Sequence, residues 1–299
     1  MTTEGGTIMA EQAVASGNAG SAGSAGSAGS AGRAGRAGRI RRPEGPGKVA
    51  IAGLGLLLPG GVLILWQMLS HYGMISAMLF PAPYTIAQSF ITLASSGELW
   101  INLRVSALRT LSGFLLGGGL GLLLGIVVGL FRRSEKLLNP SLQMIRMIPS
   151  LAVVPLFILW FGIGEESKVL LIAKSAFFPL YIHTFMGIRG TDNKLFEVAR
   201  VLGFSRRQQI LRLVLPAAVP SIMLGVRLSL GLAWLGLVVA ELIASTSGIG
   251  YMMSDARQFA DTPVVFVGII VFAAAGLLTD TMVRLVERRL LRWQDSYQG

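Results

Sequence analysis

Six long apolar stretches alternate with shorter polar segments along the chain. At 1.5 Å rise per residue, helices of these lengths cross a hydrocarbon core of about 30 Å, the longer ones with tilt. Because backbone amides have no water partner in lipid, each stretch must satisfy its own hydrogen bonds as a helix. The pattern predicts an all-α membrane protein with transmembrane helices over residues 49–70, 105–130, 147–164, 168–188, 217–244 and 263–286.

The N-terminal residues 1–48 have a different pattern. They include GSAGSAGSAGSAGRAGRAGR, in which small residues repeat with a period of three. A segment with so little apolar surface to bury is expected to be disordered. The predicted organisation is a disordered low-complexity tail over 1–48 and a transmembrane domain over 49–299.

Composition supports the membrane prediction and excludes other classes. The chain is 53% hydrophobic and 14% charged, whereas soluble domains carry about 25% charged residues. Its net charge of +11 does not indicate a nucleic-acid binder, because the basic residues lie beside the apolar stretches and not on one polar face. With no cysteine and two histidines, disulfides, Cys-ligated metals and a histidine cluster are excluded.

The basic residues predict the orientation in the membrane. Most of the 26 lysines and arginines fall on one side if the N-terminus is cytoplasmic. The positive-inside rule then places both termini in the cytoplasm. Segment 71–104 is expected outside, and loops 131–146 and 189–216 inside.

Glycines recur at every fourth position in the second apolar stretch. This spacing puts them on one helix face, where the missing side chains allow another backbone to approach closely. We expect tight helix packing there, with a pore-lining face as the alternative. The five positions are Gly113, Gly117, Gly121, Gly125 and Gly129.

The segment EVARVLGFSRRQQILRLVLP, Glu197–Pro216, is polar and helical in its spacing. Asp192 is placed to cap a first helix over about 193–202, and Gly203 to end it. Ser205 and Gln208 match a capping box for a second helix, which should end where Pro216 opens the fifth span. The segment therefore predicts two short helices inside the loop 191–216.

The predicted apolar face of this loop has two interpretations. Leu195, Ala199 and Leu202 share one side of the first helix, and Ile210, Leu213 and Val214 share one side of the second. The face either docks on a partner or lies on lipid headgroups, which arginines also favour. The residues alone leave both open.

Seven of these positions resemble the cytoplasmic-loop signature of ABC-importer permeases. The signature is E-A-A, three residues, G, nine residues, I, one residue, L-P, and its spacing is kept here. "IPSLAVVPLFILWFGIGEESK" and "VRLSLGLAWLGLVVAE" are similar to nitrate, sulfonate and taurine import permeases, above all those for aliphatic sulfonates. The resemblance covers about residues 55–295. Five positions carry the signature residues, and two differ conservatively, with Val198 in place of Ala and Leu213 in place of Ile. The five are Glu197, Ala199, Gly203, Leu215 and Pro216.

The resemblance implies a fold, a location and partners. The fold is a six-helix type I ABC-importer permease (MetI-like) bundle with cytoplasmic coupling helices, in a bacterial inner membrane. The chain has no G-x-x-x-x-G-K-[ST] phosphate loop. ATP and magnesium would therefore be bound by a separate ABC ATPase dimer, and the chain itself would be neither an enzyme nor a cofactor or metal protein.

The same resemblance assigns contacts and further partners. Glu197, Ala199 and Gly203 would contact the ATPase, with Leu213, Leu215 and Pro216 completing the coupling segment. A second copy of the chain would complete the pathway, and an extracytoplasmic binding protein would deliver the ligand.

Lys174, Arg227, Glu241 and Asp280 are ionisable residues at membrane depth in the predicted spans, where they indicate ion pairs or a pathway. We expect Arg227 to pair with Asp280, and Lys174 with Glu241. A lysine or arginine facing the cavity would suit a sulfonate, and Ser229 or Trp234 would add a hydrogen bond or an apolar wall.

Two other functions compete with an ABC permease. An ion-coupled secondary transporter usually contains inverted repeats, and none is clear between 49–164 and 168–286. A membrane-embedded enzyme would need a His, Cys, Asp or Glu constellation, which the sequence does not offer.

Overall fold

The computed structural model describes residues 48–291, with side chains from residue 57. Every regular element in this part of the chain is a helix, which confirms the all-helical prediction. The small-residue repeat, and with it the predicted disorder of the tail, lies outside the described residues. The helices are α1 (Lys48–His71), α2 (Pro83–Ser95), α3 (Glu98–Leu130), α4 (Arg132–Arg146), α5 (Ser150–Phe161), α6 (Glu165–Arg189), α7 (Asn193–Val201), α8 (Arg206–Gln209), α9 (Leu215–Ala244), α10 (Ile249–Gln258) and α11 (Thr262–Leu290), with a π-helical segment over Ile210–Val214 between α8 and α9.

Four helices of the described part are long and apolar enough to cross a membrane. They correspond to the predicted second, fourth, fifth and sixth spans. The second span begins earlier than predicted: its helix, α3, starts at Glu98 and not at residue 105. The first predicted span falls on α1, whose fully described apolar part is Leu57–His71.

The third predicted span, 147–164, is not one straight helix. Residues 147–149 lie in the break between α4 and α5, and only Ser150–Phe161 form the short helix α5. The two helices meet at a bend of 96°, the geometry of a broken span or of a re-entrant loop. Pro149 favours the break, since it lacks an N–H and disfavours helical conformation in the residue before it. Alone, the 12 residues of α5 extend only about 18 Å, less than the hydrocarbon core.

The glycine face of α3 packs directly on α6. A Cβ added at Gly117 would overlap the Ala173 carbonyl group, and one added at Gly125 would lie 2.7 Å from the Thr184 Cβ. Gly113, Gly121 and Gly129 meet α6 in the same way. The two helices run parallel with their backbones in contact, as expected for small residues at four-residue spacing.

On its other side, α6 packs against α9, which runs antiparallel to it. The Ser229 hydroxyl donates to the Ala176 carbonyl oxygen, and a Cβ at Gly236 would lie 2.7 Å from Ser175 Oγ. Helix α6 is therefore the central helix of the bundle. The buried residues between these two helices include Ile172, Ala176, Ala233 and Leu237.

The opposite ends of α3, α6 and α9 give the bundle two distinct ends. We call the end near Leu130, Arg189 and Leu215 the insert end, because α7 and α8 lie there. At the far end, α2 and α10 pack with α3 and α11 around Leu99, Ile249 and other buried apolar residues.

We predict that Gly117→Ala destabilises the protein, whereas Gly119→Ala does not. The added methyl at residue 117 collides with backbone atoms of Ala173, which cannot rotate away, while residue 119 has nothing within 4 Å. Overpacking of this kind costs about 1–3 kcal/mol. Both changes replace glycine in the same helix, so they share the same gain in helix propensity.

The measurement is the thermal unfolding midpoint of each variant purified in detergent. A clear drop for Gly117→Ala alone supports the close packing. Equal midpoints would show that α3 and α6 do not touch at residue 117.

Candidate functional site

The first candidate site is the polar loop at the insert end, residues 191–216, which we call the insert. Its first helix, α7, begins as predicted: the Asp192 side chain accepts the Lys194 N–H at 3.0 Å. It ends at Gly203, which has φ of +68°. The Gly203 N–H donates to the Arg200 carbonyl at 3.0 Å and the Phe204 N–H to the Ala199 carbonyl at 2.9 Å. These two bonds form a Schellman motif, in which glycine avoids the penalty of the left-handed conformation.

The second helix of the insert also has the predicted start. The Ser205 N–H donates to Gln208 Oε1 at 2.8 Å, and the Gln208 N–H donates to Ser205 Oγ at 3.4 Å. Both bonds of the capping box are therefore present.

The end of the second helix differs from the prediction. The chain does not stop at Pro216 but continues into α9 through the π-helical segment, where the Leu215 N–H donates to the Ile210 carbonyl. Pro216 has no N–H for the Arg212 carbonyl, and the wider π turn lies directly before it. The second half of the insert is thus continuous with a membrane-spanning helix.

Apolar contacts fasten both halves of the insert to the bundle. Ile188 at the end of α6 packs with Val214 and Ala218, and Phe196 and Leu213 pack against this cluster. The insert is therefore held at both of its ends, by α6 and by α9.

The exposed surface of α7 differs from the predicted apolar face. Of its three predicted members, only Ala199 is buried; Leu195 and Leu202 are exposed, because so short a helix docks by one edge. Ala199, which is 1% exposed, packs inside the protein. Val198 and Val201 are also exposed, the latter by 88%.

The remaining predicted contacts divide between surface and interior. Glu197 and Gly203 are exposed on the insert, whereas Leu213, Leu215 and Pro216 are partly buried where it joins α9. The surface that α7 offers consists of exposed apolar side chains beside Glu197, with exposed Arg200 nearby.

Within the spans, the structure brings Arg227 and Asp280 together. Arg227 Nε donates to Asp280 Oδ1 at 2.6 Å, and Arg284 Nε donates to the other carboxylate oxygen at 2.7 Å. Trp234 Nε1 donates to Thr279 Oγ1 at 3.1 Å. The bonds of Arg227 and Trp234 tie α9 to α11. Ser229 of α9 likewise serves helix packing, since it is fully buried against α6.

The expected pair between Lys174 and Glu241 is wrong. Lys174 Nζ donates to the Ile148 carbonyl and to Ser150 Oγ, both at 3.1 Å. Glu241 instead forms a buried ion pair with Arg109, with 2.8 Å between Oε1 and Nη1. The two residues point in different directions, because α6 turns Lys174 towards α5 whereas α9 turns Glu241 towards α3.

Arg109 is the centre of a polar network that the sequence reasoning missed. Its side chain is 3% exposed. It donates twice to the Glu165 carboxylate, once to Glu241, and to both the carbonyl and the hydroxyl of Ser247. All five N–H donors of the guanidinium are satisfied, as a buried arginine requires.

The same network fixes the start of α10. Ser106 Oγ donates to Glu241 and accepts the Ile249 N–H at 2.9 Å. The Gly250 N–H donates to Glu241 Oε2 and the Gly248 N–H to Asn102 Oδ1, both at 2.8 Å. Asn102, Ser106 and Arg109 follow each other at helical spacing on one face of α3, a signal that was present in the sequence.

Comparisons with known proteins show the family to which the sequence is similar. The family model described as "Binding-protein-dependent transport system inner membrane component" matches residues 117–292. A Bacillus subtilis protein named as an aliphatic sulfonates transport permease, SsuC, is 60% identical over 245 residues, which cover 82% of this chain and 89% of that protein. The Escherichia coli protein of the same name is 48% identical and covers 80% and 91%. The E. coli taurine transport system permease protein TauC is 34% identical and covers 79% and 88%.

We predict that Glu241→Ala strongly destabilises the protein. The change removes one partner of a buried ion pair and leaves the Gly250 N–H without its acceptor. Breaking a buried pair in this way costs about 3–5 kcal/mol. The measurement is the yield and thermal midpoint of the purified chain, with Glu166→Ala as the control, because Glu166 is exposed on α6. Equal stability of the two variants would contradict the structural role of the network.

Proposed function

The chain belongs to the family of binding-protein-dependent transport system inner membrane components, and from this membership we propose that it is the permease subunit of an ATP-binding-cassette importer. Its cargo is an aliphatic sulfonate or a related small anion. The chain forms the pathway through the membrane, and ATP hydrolysis on a separate subunit drives transport.

The substrate class is supported by the names of the relatives. Two of them are named for aliphatic sulfonates and one for taurine, which carries the same sulfonate group. A sulfonate is a fixed anion and cannot cross the hydrocarbon core without a pathway that solvates its charge.

The observation that supports coupling to a separate ATPase is the construction of the insert. Capping bonds define its two helices, apolar contacts fasten it to α6 and α9, and yet Val201 and Leu202 remain exposed. A short rigid element with outward apolar side chains fits a groove of another protein. The partner is an ABC ATPase dimer, which binds the ATP and magnesium for which this chain has no phosphate loop.

Movement of the insert would be transmitted to the bundle because α8 continues into α9 without a break. ATP-driven closure of the ATPases displaces the insert, and α6 and α9 follow it as one body. A second copy of the chain forms the other half of the pathway, and tilting of the two halves opens it to alternate sides. Such a switch needs different contacts in its two states.

The remaining partners follow from the orientation. With both termini cytoplasmic, the insert faces the ATPases and the far end of the bundle faces outward. There α2, in segment 71–104, and α10 provide the surface for an extracytoplasmic binding protein. The apolar outer faces of α1 and α11 contact membrane lipid, and no nucleic acid takes part.

The direct test is reconstitution into proteoliposomes. We expect uptake of ethanesulfonate only when the chain, its ATPase, its binding protein and ATP are all present. Accumulation against a gradient by the chain alone would instead show an ion-coupled secondary transporter. Vesicles with the ATPase but a non-hydrolysable nucleotide serve as the control.

A second test addresses the insert. Glu197→Lys and Val201→Glu are expected to reduce co-purification of the ATPase by about tenfold, because each places an unfavourable charge in the contact surface. The permease should keep its thermal midpoint, since both residues are exposed. Glu166→Lys makes the same charge change at the far end of α6 and should retain the ATPase. Unchanged ATPase binding by both insert variants would show that the contact lies elsewhere.

A further inference from the structure

The break between α4 and α5 lies at membrane depth. Helix α4 runs alongside α6 in the opposite direction: Arg189 pairs with Glu135 near one end of α6, Tyr181 donates to Asn139 at 3.1 Å, and Lys174 reaches the Ile148 carbonyl. Lys174 is about 14 Å and 22 Å along the helix from the two ends of α6. The break at residues 147–149 is therefore in the middle part of the span.

The exposed side of α4 is too polar to contact the hydrocarbon core of a membrane. No residue of α4 is buried, and Lys136 and Arg146 are among its exposed residues. A polar helix beside a membrane span, followed by irregular backbone, is tolerated only where it lines a water-filled cavity or is covered by protein.

A cavity of about 610 Å³ lies at this break, between α5, α6 and α9. This volume is in the range of small-molecule sites. Its charged groups are Arg146 and Lys174, and its hydroxyls are Ser150 and Ser175. Among the described residues that line it, none is acidic. The other walls are mainly apolar and include Leu171, Phe178, Leu232, Leu235 and Val239.

Lys174 places a positive charge at the edge of this apolar space. Two of its three ammonium donors are used by Ile148 and Ser150, which leaves one donor for an incoming group. The cation thus has a fixed position, and it faces the cavity without a carboxylate partner among the described residues.

We propose that this cavity is an amphiphilic-anion site on the transport pathway, in which Lys174 and Ser150 bind the sulfonate head and the apolar wall contacts the alkyl tail. The proposal rests on the proposed function and names the place where the permease itself recognises its cargo. An anionic head needs a cation and hydroxyl donors, whereas an alkyl chain gains free energy by leaving water. Lys174 and Ser150 meet the first requirement, and apolar side chains such as Leu232 and Leu235 meet the second.

The test uses the permease–ATPase complex without its binding protein, in nanodiscs of zwitterionic lipid. Binding of hexanesulfonate is measured by calorimetry for wild type, Lys174→Gln and Lys174→Arg, in nucleotide-free and vanadate-trapped complexes. We expect Lys174→Gln to weaken binding about ten- to hundredfold, because a charge-assisted bond is lost. Lys174→Arg keeps the charge and should restore most of the affinity. Hexanol, which has no charge, should bind equally to all three.

A second variant tests the apolar wall. In wild type, affinity should rise by up to about fourfold for each methylene between ethanesulfonate and hexanesulfonate. Leu235→Trp fills the space for the tail and should abolish this dependence. Leu277→Trp, on an exposed position of α11 outside the cavity, is the matched control. This comparison also tests the proposed site if the Lys174→Gln variant fails to assemble with the ATPase.

Three results would overturn the proposal. The first is that no state of the wild-type complex binds hexanesulfonate, although reconstituted vesicles import sulfonates. The second is that Lys174→Gln weakens hexanol and hexanesulfonate equally, which would mean that Lys174 only shapes the helix break. The third is that an anionic phospholipid added to the nanodiscs displaces hexanesulfonate completely, which would identify the cavity as a lipid site. Failure of sulfonate uptake by the wild-type vesicles would instead refute the proposed function.

Discussion

The backbone contact between α3 and α6 is the constraint on which the rest of the structure depends. In a membrane, helices gain nothing from leaving lipid for one another, so association relies on close packing and polar bonds. Five glycines on α3 remove the side chains that would keep α6 away. Once α6 is held there, its other sides can accept α9, α4 and α5, and the two candidate sites form at its edges.

Ion pairs and hydrogen bonds then hold those helices that the glycine packing of α3 on α6 does not fix. Arg109 and Glu241 join α3 to α9 and hold the start of α10 at the far end, whereas Arg227 and Asp280 join α9 to α11. All five donors of Arg109 are bonded, and the Asp280 carboxylate accepts from both Arg227 and Arg284. Charges at membrane depth are tolerated when they are paired in this way. At the insert end, the apolar contacts of Phe196 and Leu213 hold the insert against the bundle. The helices are thus held together at both ends of the bundle, and the cavity between α5, α6 and α9 lies between these ends.

The sequence predicted those features that depend on local spacing. Glycines at every fourth residue, the Asp192 and Ser205 caps and the glycine that ends α7 all act within a few residues, and the structure contains each of them. Features that depend on helix rotation were predicted less well. Lys174 and Glu241 were expected at similar depth, but only the three-dimensional packing shows that Lys174 lies in the middle part of α6 while Glu241 faces α3 near the far end. Hydropathy likewise predicted one third span over 147–164, because it does not register that Pro149 separates the start of this stretch from α5.

The central claim is that the insert and its two attached helices move as one body. The chain contains no cysteine, so spin labels can be introduced at chosen sites, for example Arg207, which is exposed on α8 of the insert and outside the contact surface of α7, and Leu115 on α3. In a transporter with one doubly labelled copy, the distance between these labels should stay the same when ATP binds. In a transporter labelled only at Arg207 of both copies, the distance between the copies should change. A within-copy distance that changes while the bundle stays still would show that the insert swings on its own, and would contradict the account.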